Sequence, residues 1–203
     1  MISLSPVSAR PCLEEFARET PPPPFDGLAF QSCKGLTRTD LLENQRHQCA
    51  FCESPLEDNG QSTHLDHLIT QEADSNRRFD IRNLVACCQN DSTCGHKHDC
   101  HSVPDELNPY IARNLHLVMP CDSGGELYSD TLSDTVWEFA NVSLNLNAPG
   151  LKSARAAVIS RLRLRTNSLG TNARRRISSL STQGVGFISL HYQVLADHGF
   201  PEP

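Results

Sequence analysis

Residues 49–52 read CAFC, and a second cysteine-rich string, CGHKHDCH, begins at residue 94. A CxxC knuckle offers two thiolates from one turn of backbone, and tetrahedral zinc closes when a second pair arrives. Cys87 or Cys88 with Cys94 or Cys100 are the candidates for that pair. A redox CxxC needs a strand before it and a helix after it. Here a helix-like stretch precedes, and a proline-containing turn, ESPLEDNG, follows. The spacing therefore predicts a structural zinc held by Cys49, Cys52, Cys88 and Cys94, with Cys87 extending the apolar run LVAC. A closed four-ligand site does no chemistry by itself. The cysteines frame something, and the residues between them decide what.

A chain of 203 residues predicts one domain. Apolar residues are 38% and aromatics 6%, which predicts an irregular domain of short elements leaning on local staples. No run of 18 apolar residues exists, so no membrane span or membrane partner is expected. The start, MISLSPVSARPCLEEF, has no basic region followed by an apolar stretch, so a cytoplasmic protein with reduced thiols is expected. On that reading Cys12, Cys33 and Cys121 are ordinary thiols.

Three regions follow from composition. Residues 1–33 read as a loosely structured N-terminal arm, with PPPPF at 21–25 as an extended spacer. Residues 34–103 form the cysteine-framed core. In it GLTRTDLLENQRHQC reads as a helix capped by Thr37 or Thr39, QSTHLDHLI as a strand, and 70–82 as a polar, mobile stretch. IRNLVACC is a short apolar run ending at cysteines. Residues 104–203 read as a mostly helical extension. Its strongest helix is LKSARAAVISRLRLR, with Leu151, Ala154, Val158 and Leu162 at helical spacing.

Net charge is −6, but residues 148–203 carry eight Lys/Arg against Asp197 and Glu202, leaving −12 on the first 147 residues. A basic C-terminal part points to phosphate or an acidic partner.

Between the cysteine clusters lies HLDH, residues 64–67. Phosphodiester hydrolysis needs a base active near neutral pH, which histidine supplies. It needs a hard cation held by a carboxylate and a neutral imidazole. It also needs a group that fixes the base. His67, Asp66, His96 and Asn83 have the residue types for these roles.

The combined pattern QCAFCESPL…THLDH…DIRNLVACC…CGHKH resembles the HNH endonucleases. It looks especially like the PtuB-type branch found in the Septu and some retron anti-phage systems of bacteria. LNPY, GELY and VSLNLNAPGLKSAR extend the resemblance to roughly residues 34–160. The resemblance implies an α+β fold, in which a ββα-metal core with a structural zinc is embedded in a mainly helical single domain. It implies His67 as general base, Asp66 and His96 as ligands of a catalytic Mg²⁺ or Mn²⁺, and Asn83 as the brace. Relatives often read CGHKKG where this chain reads CGHKHDCH, so His98, Asp99, Cys100 and His101 compete with His96. The resemblance further implies DNA as substrate, and Arg155, Arg161, Arg163 and Arg165 of the basic C-terminal part are the expected phosphate contacts. It also implies a PtuA-like ABC/SMC-type ATPase as partner, for the chain has no GxxxxGK[ST] loop of its own. The competing expectation is a catalytically inactive zinc-stabilised module that binds nucleic acid or protein.

Overall fold

A computed structural model describes residues 1, 3–98, 101–112, 118–169 and 186–197, with 165–169 described by backbone alone. The fold combines helices with one small two-stranded sheet. Among the described residues no helix is long and apolar enough to cross a membrane.

Helix α1, Pro11–Arg18, starts with proline at its first position, where the missing N–H costs nothing. It lies against α2, Gln31–Asn44, which buries Cys33, Thr37, Leu41 and Leu42 along one face. Helix α2 begins before both threonines expected to cap it. The buried Phe30 ends a 3-10 turn that runs straight into the helix. Thr37 is therefore interior, and Thr39 bonds the Asp58 carboxylate at 2.6 Å instead.

The expectation for Cys12 and Cys33 is corrected. They form a disulfide, with Cα atoms 6.0 Å apart, that ties α1 to α2. Distant in sequence, they face one another because the two helices pack side by side. Residues 1–33 are likewise no loose arm. Leu13, Phe25 and Phe30 are buried, and Phe16, Phe25, Phe30 and Phe79 form one aromatic cluster.

Helix α2 stops where Arg46 and His47 turn to positive φ, and the CAFC knuckle follows. Gln45, buried, donates to the Ala86 carbonyl and accepts from the Ala86 amide, both at 2.8 Å. The Ala50 amide reaches the same carbonyl at 3.1 Å. These bonds dock the knuckle onto the sheet.

Strand β1, Thr63–His67, pairs antiparallel with β2, Leu84–Cys88, setting Asp66 opposite Val85 and His64 opposite Cys87. Alternation along β1 buries Thr63, Leu65 and His67 and leaves His64 and Asp66 half-buried on the other face. The intervening segment is built from short turns. The Asp74 and Asp80 side chains cap 3-10 turns over Ser75–Arg77 and Ile81–Asn83. Helix α3, Cys94–His98, follows β2 and packs on it.

Beyond the core come α4, Asp134–Glu138, α5, Pro149–Leu169, and α6, Ile188–Asp197. Helices α5 and α6 pack on each other. Helix α6 also returns to the knuckle, where its Ser189 gives amide and hydroxyl bonds to the buried Glu53 carboxylate.

Candidate functional site

The Sγ atoms of Cys49, Cys52, Cys88 and Cys94 all lie within 4.8 Å of one another. The Cys52–Cys88 pair is 4.0 Å apart. Sulfur–sulfur edges in a zinc tetrathiolate are about 3.8 Å, from Zn–S bonds near 2.3 Å, so the four thiols can hold a metal ion such as zinc. Three elements deliver them: the knuckle, the end of β2 and the start of α3. Hydrogen bonds from Cys49, Cys52 and Cys94 favour the Cys88 thiolate. Burial pushes the Cys49 thiol up, and the bond with Cys49 does most to push up Cys52 and Cys94. A cation at the centre would relieve that crowding for all four. Cys87, one residue earlier on β2, starts from the opposite face of the sheet; its thiol lies 3.9 Å from Asp66 Oδ2 and also bonds Cys49, and burial raises its pKa to about 12. Cys100 lies outside the described residues.

On that opposite face Asp66 meets helix α3. Its Oδ2 is 2.8 Å from Nε2 of the buried His98. His98 Nδ1 faces the His101 carbonyl at 2.7 Å. A carbonyl only accepts, so Nδ1 carries the proton there. Nε2 and the carboxylate are then two acceptors face to face, unless a proton or a metal cation sits between them. The pair offers one carboxylate and one imidazole, whereas the set of three or more ligand groups among the described residues is that of the four cysteines. Burial opposes ionisation of Asp66, but the His98 bond and charge, His64 and the His67 amide together hold its pKa below the usual range.

His96, the expected third ligand, is exposed. Its Nε2 is 2.6 Å from Gln89 Oε1, and its ring lies 4.4 Å from that of His64. The structure brings Asp66 to His98, not to His96. The difference is one of helical phase, since His98 follows Cys94 by a full turn and shares its inward face. That i, i+4 relation is visible in the sequence and marks His98. His64 is half-buried, and its buried Nδ1 has no hydrogen-bond partner among the described residues. Burial lowers its pKa. Gly95 lets α3 approach this closely, since a Cβ there would sit 2.5 Å from Asp66 Oδ2 and 2.7 Å from His64 Nε2.

His67 ends β1 on the buried face. Its Nε2 lies 3.0 Å from the Arg78 carbonyl, so Nε2 bears the proton and Nδ1 keeps its lone pair. Burial lowers the His67 pKa, against opposing contributions from the Arg78 carbonyl and Asp66. Asn83, fully buried, accepts from the Ile69 amide at 2.7 Å and donates to the carbonyls of Ile69 and Arg77 at 2.9 and 3.1 Å. Two of these bonds tie the turn before β2 to Ile69, just past β1, and the third ties it to Arg77, the neighbour of the residue whose carbonyl holds His67.

The basic residues separate. Arg155 is corrected from a surface phosphate contact to a buried brace. It is 2% exposed, and its guanidinium bonds the carbonyls of Gly125 and Leu146 and Asn147 Oδ1. The apolar face of α5 is wide enough to take Arg155 inward with Leu151, Val158 and Leu162. Arg161 and Arg163 are exposed on α5. The Arg165 side chain and residues 174–176 lie outside the described residues.

No protein-family model matches the chain, and no curated protein matches it.

Proposed function

We propose that the protein is a metal-dependent HNH-type endonuclease whose strand–strand–helix unit, β1–β2–α3, serves as a ββα-metal core. The observation that carries this reading is the juxtaposition at the end of β1. His67, its proton fixed on Nε2 by the Arg78 carbonyl, adjoins Asp66, which faces His98 at 2.8 Å.

In this reading Asp66 and His98 hold a catalytic Mg²⁺ or Mn²⁺, and His98 takes the role first expected of His96. When bound, that ion would stabilise negative charge on the scissile phosphate and the leaving oxygen. His67 Nδ1 accepts a proton from the attacking water, helped by a depressed pKa that keeps the ring neutral near pH 7. Asn83 keeps the base aimed by fixing the loop behind it. The cysteine set, as a structural zinc site, pins the knuckle, β2 and α3, and so helps to hold His98 against Asp66. Exposed Arg161 and Arg163 are proposed phosphate contacts that position DNA without reading sequence. The resemblance to the PtuB branch extends the proposal to anti-phage defence alongside an ABC/SMC-type ATPase.

The test is nicking of supercoiled plasmid with Mg²⁺ or Mn²⁺, with and without EDTA, for wild type and His67→Ala, each with and without the ATPase. Cleavage that needs metal and falls by at least about a hundredfold in His67→Ala supports the reading. Equal cleavage by His67→Ala refutes it. The second reading, an inactive zinc-stabilised module, is favoured by one observation: His67 is only 7% exposed. That module would bind DNA or protein and cleave under none of these conditions.

A further inference from the structure

His67 has a neighbour that neither strand supplies. The Phe25 ring meets the His67 ring edge-on, with centroids 4.5 Å apart and planes at 68°. Phe25 is only 4% exposed. Phe30 and Phe79 close its remaining sides, at centroid distances of 4.9 and 5.8 Å. The Lys34 ammonium sits 4.9 Å from its centroid and pairs with Asp26, the next residue in the chain.

The segment leading to Phe25 is gripped as well. Arg78 Nη1 donates to the carbonyls of Pro22 and Pro23 at 3.2 and 2.9 Å. Arg78 is also the residue whose backbone carbonyl receives His67 Nε2–H. One residue therefore holds the polyproline strap with its side chain and the histidine with its backbone. Upstream, the Cys12–Cys33 disulfide and the Arg10–Asp40 ion pair anchor α1 to α2. Polyproline geometry suits this use, because a segment with few conformations loses little entropy when fixed.

We propose that Phe25 is a positioning residue for His67, a wall delivered by the N-terminal strap that keeps the imidazole from swinging off the Arg78 carbonyl. The proposal rests on the reading of His67 as the base. Aromatic rings prefer this edge-to-face contact, and a flat neighbour on one side with a carbonyl at Nε2 leaves the ring one orientation. Nδ1 then points one way in every molecule. A strap built into an aromatic cluster, cross-linked and doubly hydrogen-bonded is a fixed wall, not a removable cover.

Phe25→Ala, Phe25→Leu and Arg78→Met test this in the full-length protein. Leucine keeps an apolar side chain but loses the flat edge, and methionine frees the strap while Phe25 stays. With plasmid substrate, each variant is expected to keep KM within about twofold, while kcat falls roughly tenfold to a hundredfold. A rise in kcat would overturn the proposal by making the strap a cover. An unchanged kcat in folded Phe25→Leu and Arg78→Met would overturn it too. A readout independent of cleavage is the Nε2-bound proton of His67 in ¹⁵N-resolved NMR. It is expected to be a slowly exchanging signal in wild type and to vanish or average in folded Phe25→Leu. Persistence of the signal in that variant refutes the wall. If wild type fails to cleave, the base reading falls, and the NMR result still decides whether Phe25 fixes the ring.

Discussion

Asp66 on β1 and His98 on α3 stand 2.8 Å apart, with the far nitrogen of His98 fixed on the His101 carbonyl. His96, two residues earlier, is exposed and turned to Gln89. On the proposed nuclease reading, His98→Ala is expected to lower Mn²⁺ affinity and metal-dependent cleavage by about a hundredfold or more, and His96→Ala by only a few-fold. Calorimetric titration of Mn²⁺ into each variant measures this. Equal losses would remove the distinction.

Gly95 is where α3 comes closest to Asp66 and His64. Gly95→Ala would put a methyl 2.5 Å from Asp66 Oδ2 and 2.7 Å from His64 Nε2, so those side chains have to shift. The expected cost is about 1–3 kcal/mol of stability. On the proposed reading Mn²⁺ affinity should fall while zinc content stays, because the atoms nearest a Cβ at Gly95 belong to Asp66 and His64. Denaturant melts with metal analysis check both outcomes.

Cys87 and Cys88 are neighbours on a strand, so their side chains point to opposite faces. Only Cys88 joins Cys49, Cys52 and Cys94. One zinc per chain is expected in wild type and in Cys87→Ser, with zinc lost from Cys88→Ser. Chelation of the zinc should unfold the β1–β2–α3 unit. Elemental analysis alongside circular dichroism reads each case.

Arg155 and Arg161 lie on one helix in different surroundings. Arg155→Ala leaves the Gly125 and Leu146 carbonyls without their donor, at a cost of about 2–4 kcal/mol. Arg161→Glu should leave the melting temperature within a degree or two. It should instead lower DNA affinity and reduce the salt slope by about one. Thermal melts and binding isotherms over a salt series separate the two roles.

His191, 1% exposed with neither ring nitrogen hydrogen-bonded among the described residues, is held neutral by burial, its pKa lowered to about 4. An unfolded histidine titrates near 6.5, so between about pH 6.5 and 4 the unfolded chain binds the extra proton. His191 thus costs no stability above pH 6.5 and removes it progressively as pH falls toward 4, by about 3 kcal/mol in total. His191→Leu should flatten the pH dependence of denaturant stability across that window. An unchanged slope would contradict the assignment.

Local spacing reveals much of this protein. CxxC spacing, the HLDH string and the turn formers around them are short-range patterns, and they suffice to name Cys49, Cys52, Asp66, His67 and Asn83 as candidates. Helical phase likewise contains the difference between His96 and His98, since a residue one full turn from Cys94 faces inward with it. Other features depend on contacts between segments far apart in the chain. Cys12 reaches Cys33 only because two helices pack side by side, and Arg155 becomes a brace only because the turn at Gly125 folds over α5. Phe25 reaches His67 only because the proline strap crosses the sheet's end. No pattern within one segment encodes such meetings. They arise when apolar faces are buried together, and that burial sets helix against helix and strap against sheet.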